Sequence, residues 1–306
     1  MVIRETPDTW PCVQKGVHYS SESGLNTLDT YIPRAPLSDP NQLWVVYVHG
    51  GAWLDPEIDA SSFEKTQEHI LGSTEIQHIS GFASINYRLS PNPSHPKLPS
   101  NPSDPSRNAR HPDHIRDVLS ALLFLQDTYG FDDRYVLVGH SCGATLALQV
   151  AMKRYWGMQY ESTEALELNV VPPIAILGVE GLYDLPSLVN YHIHDPAYRG
   201  FVVNAFGSDE RTWKTSSPTE GNFDESWPDG RLVVLAHSHG DELVEWDQVQ
   251  LQFDAFKAQG WSHDSTSKSR SLKMIELTGK HDEVWEDGKE LARAIQFTVR
   301  EALKVM

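Results

Sequence analysis

The sequence predicts an α/β fold, with a mostly parallel β-sheet covered by helices on both faces and a small cap insertion. Short apolar runs rich in β-branched residues alternate with helical periodicities over most of the 306 residues, which is typical of chains built from β-α-β units. The run 174–179 is apolar throughout, as expected of a strand covered on both faces. Apolar residues make up 40% of the chain, so we interpret 1–306 as a single domain.

The elements follow in chain order. Residues 17–33 alternate loosely and predict an antiparallel hairpin that ends at Pro33. The apolar stripe of Ile115, Val118, Leu119 and Leu122 has helical spacing, and this helix is expected to end near Gly130. The predicted strands are Leu43–Val48, 82–89, 135–139, 174–179, 232–236 and 272–277. The predicted helices are 61–71, 115–130, 144–155, 246–258 and 287–304.

Two segments interrupt this alternation. Residues 90–112 contain seven prolines and are predicted to form an irregular surface loop. Residues 182–228 are rich in aromatic residues and turn formers. We interpret them as a cap over the carboxyl edge of the sheet, where ligands bind in such folds, with an ordinary helical excursion as the alternative.

Composition limits the partners. The 42 acidic and 25 basic residues give a formal net charge of −17, which argues against nucleic acid and anionic membranes. The two cysteines, Cys12 and Cys142, form no disulfide framework, and the N-terminus lacks the apolar segment of a secretory signal. We therefore expect a cytoplasmic protein that acts on a small-molecule substrate, with a homodimer as one option for its assembly.

A catalytic serine is predicted by Gly139-His140-Ser141-Cys142-Gly143, which lies between a predicted strand and a predicted helix. In such a nucleophile elbow the turn is tight, so the serine is strained and its hydroxyl is exposed at the end of the sheet. The alternative is a glycine-rich turn with a capping serine.

An acid and a base follow in the order that this chemistry requires. A serine needs a histidine to remove its proton, and a carboxylate must orient that histidine. Asp241 follows the strand 232–236 and His281 follows the strand 272–277, so the chain order is serine, acid, base. The rival residues are His237, His239, Glu242 and Asp184.

The segment His49-Gly50-Gly51-Ala52-Trp53 follows an early strand and predicts an oxyanion hole. Consecutive glycines let the N–H groups of Gly50, Gly51 and Ala52 converge, and the N–H of Cys142 would join them. His49 is expected to brace this loop. No cofactor and no metal site are predicted, because His237-x-His239 lacks a third ligand. Together these motifs predict a serine hydrolase.

The motifs are similar to those of fungal kynurenine formamidases, which are arylformamidases of the α/β-hydrolase superfamily. The resemblance rests on His49-Gly50-Gly51-Ala52-Trp53, Asn86-Tyr87-Arg88-Leu89-Ser90, Gly139-His140-Ser141-Cys142-Gly143, Gly181-Leu182-Tyr183-Asp184-Leu185 and Asp241-Glu242-Leu243-Val244. It implies an α/β-hydrolase fold and hydrolysis of N-formyl-L-kynurenine to L-kynurenine and formate, in tryptophan degradation and NAD synthesis. In this chain the triad would be Ser141, Asp241 and His281.

Substrate contacts are less defined. Trp53 and aromatic residues of 182–228 are candidates to stack on an aryl ring, and core packing is the alternative for each of them. Arg88 and Arg199 are candidates for a substrate carboxylate. The chain departs from the family at 90–112, which is longer than expected, and at Cys142, where alanine or valine is more usual. A carboxylesterase of broad specificity is the alternative function, and a non-enzymatic binding protein on the same scaffold is the third hypothesis.

Overall fold

A computed structural model describes residues 9–35, 39, 41–152, 170–262 and 270–306. Its centre is one eight-stranded sheet with the strand order β1-β2-β4-β3-β5-β6-β7-β8. The strands are β1 Cys12–His18, β2 Thr27–Ile32, β3 Leu43–Val48, β4 Ile79–Ile85, β5 Tyr135–His140, β6 Ala175–Val179, β7 Leu232–Ser238 and β8 Ser271–Leu277.

Helices connect most of the parallel strands. The α-helices in the described residues are α1 Glu64–Leu71, α2 Asp113–Tyr129, α3 Cys142–Val150, α4 Leu185–Tyr191, α5 Pro196–Phe206, α6 Glu210–Ser216, α7 Phe223–Ser226, α8 Trp246–Ala258, α9 Glu283–Glu286 and α10 Lys289–Val305. Within this part of the chain, none of them has the length and apolar character needed to cross a membrane.

Both faces of the central strands are buried, as the apolar runs predict. Every residue of β3 is buried, and its side chains alternate between two cores because successive residues of a strand point to opposite faces. Val46 and Val48 pack in the core that contains residues of α2 and α3. Val45 and Tyr47 pack in the core that contains residues of α1 and α10. The predicted α/β fold is therefore confirmed.

The topology brings two loops together at the carboxyl edge of the sheet. The strands β3 to β8 run parallel, whereas β2 is antiparallel to both β1 and β4. From β3 the chain crosses to β4 on one side, and from β5 it crosses to β6 on the other. The loops after β3 and β5 therefore meet at a topological switch point, where α/β sheets bind ligands.

Three boundaries differ from the sequence prediction. The hairpin begins at Cys12 rather than residue 17. The strand β4 covers Ile79–Ile85 rather than 82–89, because beyond it the Arg88 N–H donates to the Asp117 carboxylate, 2.9 Å away, instead of to a strand. The helix α3 ends at Val150, and the predicted continuation to residue 155 lies outside the described residues from 153 onwards.

The two irregular segments have distinct structures. Residues 90–112 contain one short 3₁₀ turn, Pro105–Arg107. Residues 182–228 contain the helices α4 to α7, and the second of them, α5, lies near the loop after β3, where Phe206 meets the Trp53 ring at 5.0 Å. Farther along, Trp227 packs against Trp261, with 5.4 Å between the ring centroids. Only part of this segment therefore lies close to the carboxyl edge.

Candidate active site

Ser141 occupies a strained turn between β5 and α3. Its φ of 55° and ψ of −125° are rare for a residue with a side chain, and its N–H donates to the Val179 carbonyl at 2.9 Å. Both glycines of the motif are required, because a Cβ at either position would collide with backbone atoms. A Cβ on Gly139 would lie 2.2 Å from the Gly143 carbonyl oxygen, and a Cβ on Gly143 would lie 2.2 Å from that of Val48. The strand, turn and helix therefore approach as a nucleophile elbow requires.

Asp241 and His281 are joined directly. The Asp241 Oδ1 accepts hydrogen bonds from the N–H groups of Leu243 and Val244, at 2.9 and 2.8 Å. Its Oδ2 lies 2.9 Å from the His281 Nδ1, which donates to it. The His281 ring lies beside that of His140, with 4.7 Å between the centroids, and His140 immediately precedes Ser141. Asp241 and His281 thus meet next to the turn at Ser141.

The loop after β3 lies against the serine. A Cβ on Gly50 would be 3.1 Å from the Cβ of Ser141. Gly51, Ala52 and Trp53 have successive positive φ angles of 92°, 49° and 61°. Within the described part of the chain, the N–H groups of Gly50 and Gly51 donate to no protein acceptor. They are available to an incoming oxygen, while the Cys142 N–H stands at the start of α3.

A buried set of contacts braces this loop. The His49 ring stacks on Tyr87, with 4.5 Å between the centroids, and its Nδ1 donates to the Gly50 carbonyl at 2.9 Å. The Tyr87 hydroxyl lies 3.0 and 3.1 Å from the carbonyl oxygens of His49 and Gly50. Burial lowers the pKa of His49 to about 4, so its ring is neutral near pH 7 and serves as a brace.

The rival residues support the loops around the site. The His237 Nε2 donates to the Val244 carbonyl at 3.0 Å, and the His239 ring stacks on Trp246. The Glu242 carboxylate accepts the His281 N–H at 3.2 Å. Asp184 caps α4 by accepting the Ser187 N–H. None of these four residues makes the side-chain contact with His281 Nδ1 that Asp241 makes.

The candidate substrate contacts have other partners. The Trp53 side chain is fully buried and packs edge-on against Phe206, so a substrate contact by Trp53 stays a prediction. The Arg88 guanidinium holds the Asp117 carboxylate through Nε and Nη2, with distances of 2.7 to 3.1 Å. Arg88 already has a carboxylate partner, and its contact with a substrate carboxylate stays a prediction. Arg199 pairs with Glu210 and lies over the Trp213 ring.

Arg199 lines a cavity of about 580 Å³ between α4, α5 and α6. Other residues of its lining include Val189, His192, Asp195 and Trp213. Neither Ser141 nor His281 contributes to this lining. Arg199 is therefore a residue of the outer part of the 182–228 segment, and the cavity is separate from the serine.

Glu180 is a site residue that the sequence interpretation missed. It is the first residue after β6, and its Oε2 lies 3.6 Å from the His281 Nδ1 and 3.5 Å from the His140 Nε2. The sequence could have indicated it, because Glu180 directly follows β6 just as Ser141 directly follows β5, at the same edge of the sheet. Only a strand register could show that these two strand ends are neighbours.

Two groups of side chains in the described residues resemble metal sites in composition. His140, Glu180 and His281 bring one potential ligand atom each within 4.8 Å of one another, as do Asp55, Glu57 and His95. In the first group, the His281 Nδ1 already donates to Asp241. In the second, the Glu57 carboxylate accepts from the Lys97 ammonium at 2.7 Å. We therefore assign both groups to hydrogen bonding and ion pairing.

Comparison with known proteins decides the family. The family model described as BD-FAE, an α/β-hydrolase family, matches residues 28–255. The chain is 40% identical over 282 residues to a kynurenine formamidase-like hydrolase from Fusarium equiseti, covering 90% of each chain. It is 36% identical to a kynurenine formamidase from Aspergillus versicolor, covering 87% of this chain and 92% of the relative. The chain belongs to the kynurenine formamidase family of α/β-hydrolases.

Solved structures agree on the fold of this family member. Esterase B from Lactobacillus rhamnosis superposes with a TM-score of 0.66 and 17% identity, covering 98% of this chain and 87% of the esterase. A truncated carbohydrate esterase from gut microbiota gives a TM-score of 0.65, also at 17% identity, covering 97% and 98%. The α/β-hydrolase fold is therefore confirmed, and the chain is a hydrolase of the kynurenine formamidase family.

Proposed function

We propose that the protein is an arylformamidase that hydrolyses N-formyl-L-kynurenine to L-kynurenine and formate. The observation that carries the proposal is the 2.9 Å contact between Asp241 Oδ2 and His281 Nδ1, made beside the strained turn at Ser141. The names of the relatives from Fusarium equiseti and Aspergillus versicolor support the choice of substrate.

The proposed chemistry divides into acylation and deacylation. Asp241 accepts the Nδ1–H of His281 and thereby leaves Nε2 free to take the proton of the Ser141 hydroxyl. The serine oxygen attacks the formyl carbon, and the resulting imidazolium gives its proton to the aryl nitrogen as the C–N bond breaks. Water, activated by the same imidazole, then attacks the formyl ester and releases formate.

The loop after β3, residues 49–53, is the oxyanion loop of this scheme, and it stabilises both tetrahedral intermediates. The N–H groups of Gly50, Gly51, Ala52 and Cys142 would bind the oxygen that becomes negatively charged, and those of Gly50 and Gly51 donate to no protein acceptor within the described residues. Removing one such donor typically raises a barrier by about 3–4 kcal/mol. The formyl group is small and needs little acyl pocket, and an arylamine leaves more readily than an alkylamine. An esterase-like site is therefore sufficient for this amide.

Formate release from N-formylkynurenine tests the proposal. Ser141→Ala is expected to lower kcat by at least about 10³-fold, because the nucleophile is lost, whereas Ser226→Ala on α7 should leave it unchanged. Asp241→Asn should also lower kcat strongly, and Asp184→Asn, a change of the rival acid, should affect mainly stability. Full turnover by Ser141→Ala would contradict the triad. A far higher kcat/KM for p-nitrophenyl acetate would instead indicate the carboxylesterase.

A cytoplasmic location belongs to the same proposal. It is supported by Cys12 and Cys142, both of which are free thiols, as is common where the environment is reducing. Fractionation of the native source, with detection by an antibody against the chain, would check it.

A further inference from the structure

Glu180 has an unusual backbone and an unusual environment. Its side chain is completely buried, and its φ of 48° lies in the left-handed region. The Glu180 N–H donates to the Ala236 carbonyl of β7 at 2.8 Å, which fixes this conformation. A non-glycine residue held in this region costs about 1 kcal/mol or more, and such residues cluster at functional sites.

Two carboxyl groups converge on one nitrogen. The Asp241 Oδ2 lies 2.9 Å from the His281 Nδ1, and the Glu180 Oε2 lies 3.6 Å from the same atom. Within the described residues, neither oxygen of Glu180 has a side-chain partner at hydrogen-bonding geometry, although the Ser238 N–H stabilises its charged form. Burying a carboxyl with so few partners is costly. An apolar side chain of similar size would fill the same space without this desolvation cost.

The surroundings of Glu180 favour the neutral form of its carboxyl group. Burial, followed by the negative charge of Asp241, raises the pKa of Glu180 to about 10, and the Ser238 backbone N–H acts in the opposite direction. Glu180 is therefore a neutral acid near pH 7, and Asp241 is the carboxyl that accepts the Nδ1–H of His281. The ionisable groups that face Glu180 are His140 at the end of β5, Tyr183 before α4, Asp241 and Glu242 after β7, and His281 and Asp282 after β8.

We propose that Glu180 is a positioning residue, a second carboxyl that becomes the partner of His281 Nδ1 when the charge of Asp241 is removed by substitution. The inference rests on the proposed function, because it requires His281 to act as the base for Ser141. If Asp241 is replaced by asparagine, the nearby negative charge disappears, and Glu180 then ionises more readily. Its carboxylate can stabilise the imidazolium by a small closure of the 3.6 Å gap to Nδ1.

A double-mutant cycle tests the proposal with Glu180→Gln, Asp241→Asn and the combination of both. The readouts are hydrolysis of p-nitrophenyl acetate between pH 6 and 10 and the rate at which a fluorophosphonate labels Ser141, neither of which depends on the natural substrate. Glutamine resembles a neutral carboxylic acid, so Glu180→Gln alone should lower kcat at pH 7 far less than Asp241→Asn does. Asp241→Asn should retain a residual activity that increases with pH, because only ionised Glu180 pairs with the imidazolium.

The combined variant is expected to lose that residual activity by about tenfold or more, together with its increase at alkaline pH. The control is Asp241→Asn with Glu245→Gln, which changes another buried carboxyl, one that pairs with His192; it should behave like Asp241→Asn. Equal rates and equal pH profiles for Asp241→Asn with and without Glu180→Gln would overturn the inference.

Two further outcomes separate this inference from the proposed function. If Glu180→Gln does not fold in the Asp241→Asn background, Glu180→Asp keeps a carboxyl there and should retain part of the increase with pH; a flat profile would overturn the inference. A wild-type protein that is labelled at Ser141 but does not cleave N-formylkynurenine would overturn the arylformamidase alone. A wild-type protein that is not labelled would overturn both.

Discussion

Cys142, next to Ser141, acts through its side chain as well as its backbone. The sequence predicts a small packing residue, and the structure buries it completely. Its Sγ also accepts a hydrogen bond from the Trp53 N–H at 3.2 Å, at the end of the oxyanion loop. Burial raises the pKa of the thiol to about 11, so it stays protonated. The thiol therefore holds the loop rather than acting as a nucleophile.

Replacing Cys142 by alanine tests this role. The change removes an acceptor worth about 1 kcal/mol, so we expect kcat to fall about fivefold with little change in KM, because the oxyanion loop acts mainly on the transition state. Cys142→Ser restores an acceptor and should recover most of the loss. Steady-state kinetics on N-formylkynurenine measures both parameters. An unchanged kcat in Cys142→Ala would mean that the thiol is only a packing group.

At the same scale, the sequence predicted Asp241 and His281 from chain order alone. Each is a polar residue that follows a late strand, and parallel strands place such loops at one edge. Glu180 shares that property but was not recognised, because chain order requires one acid and Asp241 already filled the role. Its closeness to His281 depends on the pairing of β6 with β7 and of β7 with β8.

The turn at Ser141 is the element whose sequence is most strictly limited by packing. We expect Gly139→Ala to destabilise the protein strongly, because its Cβ would lie 2.2 Å from the Gly143 carbonyl oxygen, a backbone atom. Gly200→Ala is the matched control on α5, where nothing lies within 4 Å of the added Cβ. Alanine in a helix is favoured over glycine by about 1 kcal/mol, so that control should raise Tm slightly. Thermal unfolding of both variants checks this, and a Tm of Gly139→Ala equal to the wild type would contradict the contact.

Elements were predictable wherever local pattern and tertiary packing agree. The run Leu43–Val48 is apolar at every position and is a buried strand with the predicted bounds. The shift of β4 arose because Tyr87 and Leu89 are buried apolar residues in a stretch that, among the described residues, belongs to no strand. The Leu89 N–H donates instead to Ser106, and the Leu89 carbonyl accepts from Ala109, both in the proline-rich loop. The local sequence pattern does not distinguish a buried strand of the sheet from a buried segment that hydrogen-bonds to a loop.

The whole molecule keeps several imidazoles neutral in its interior. Burial lowers the pKa of His49 to about 4. Burial, and then the charge of Arg88, lowers that of His114 to about 3. In the unfolded chain the same groups bind a proton near pH 6.5. Below that pH the unfolded state binds more protons than the folded state, so the folded protein loses stability as the pH falls.

His114→Gln isolates one of these groups. His114 contacts the Ser90 hydroxyl at 3.0 Å, and glutamine can keep a polar contact without titrating. Each such imidazole costs about 1.4 kcal/mol of unfolding free energy per pH unit below 6.5. The loss of stability between pH 7 and pH 5 should therefore be about 2 kcal/mol smaller in the variant than in the wild type. Urea unfolding at both pH values measures the difference, and equal losses would show that His114 is protonated in the folded state.

The sequence by itself determined the sheet and its helical layers, and it predicted the chemical class of the site. These follow from local patterns: apolar runs, helical spacing, the glycines around Ser141 and polar residues that follow strands. Only the tertiary structure decided which side chains meet. It joined Asp241 to His281, committed Arg88 to Asp117, and added Glu180 to the surroundings of the imidazole. Strand order and register set these contacts, and both depend on interactions between residues far apart in the chain.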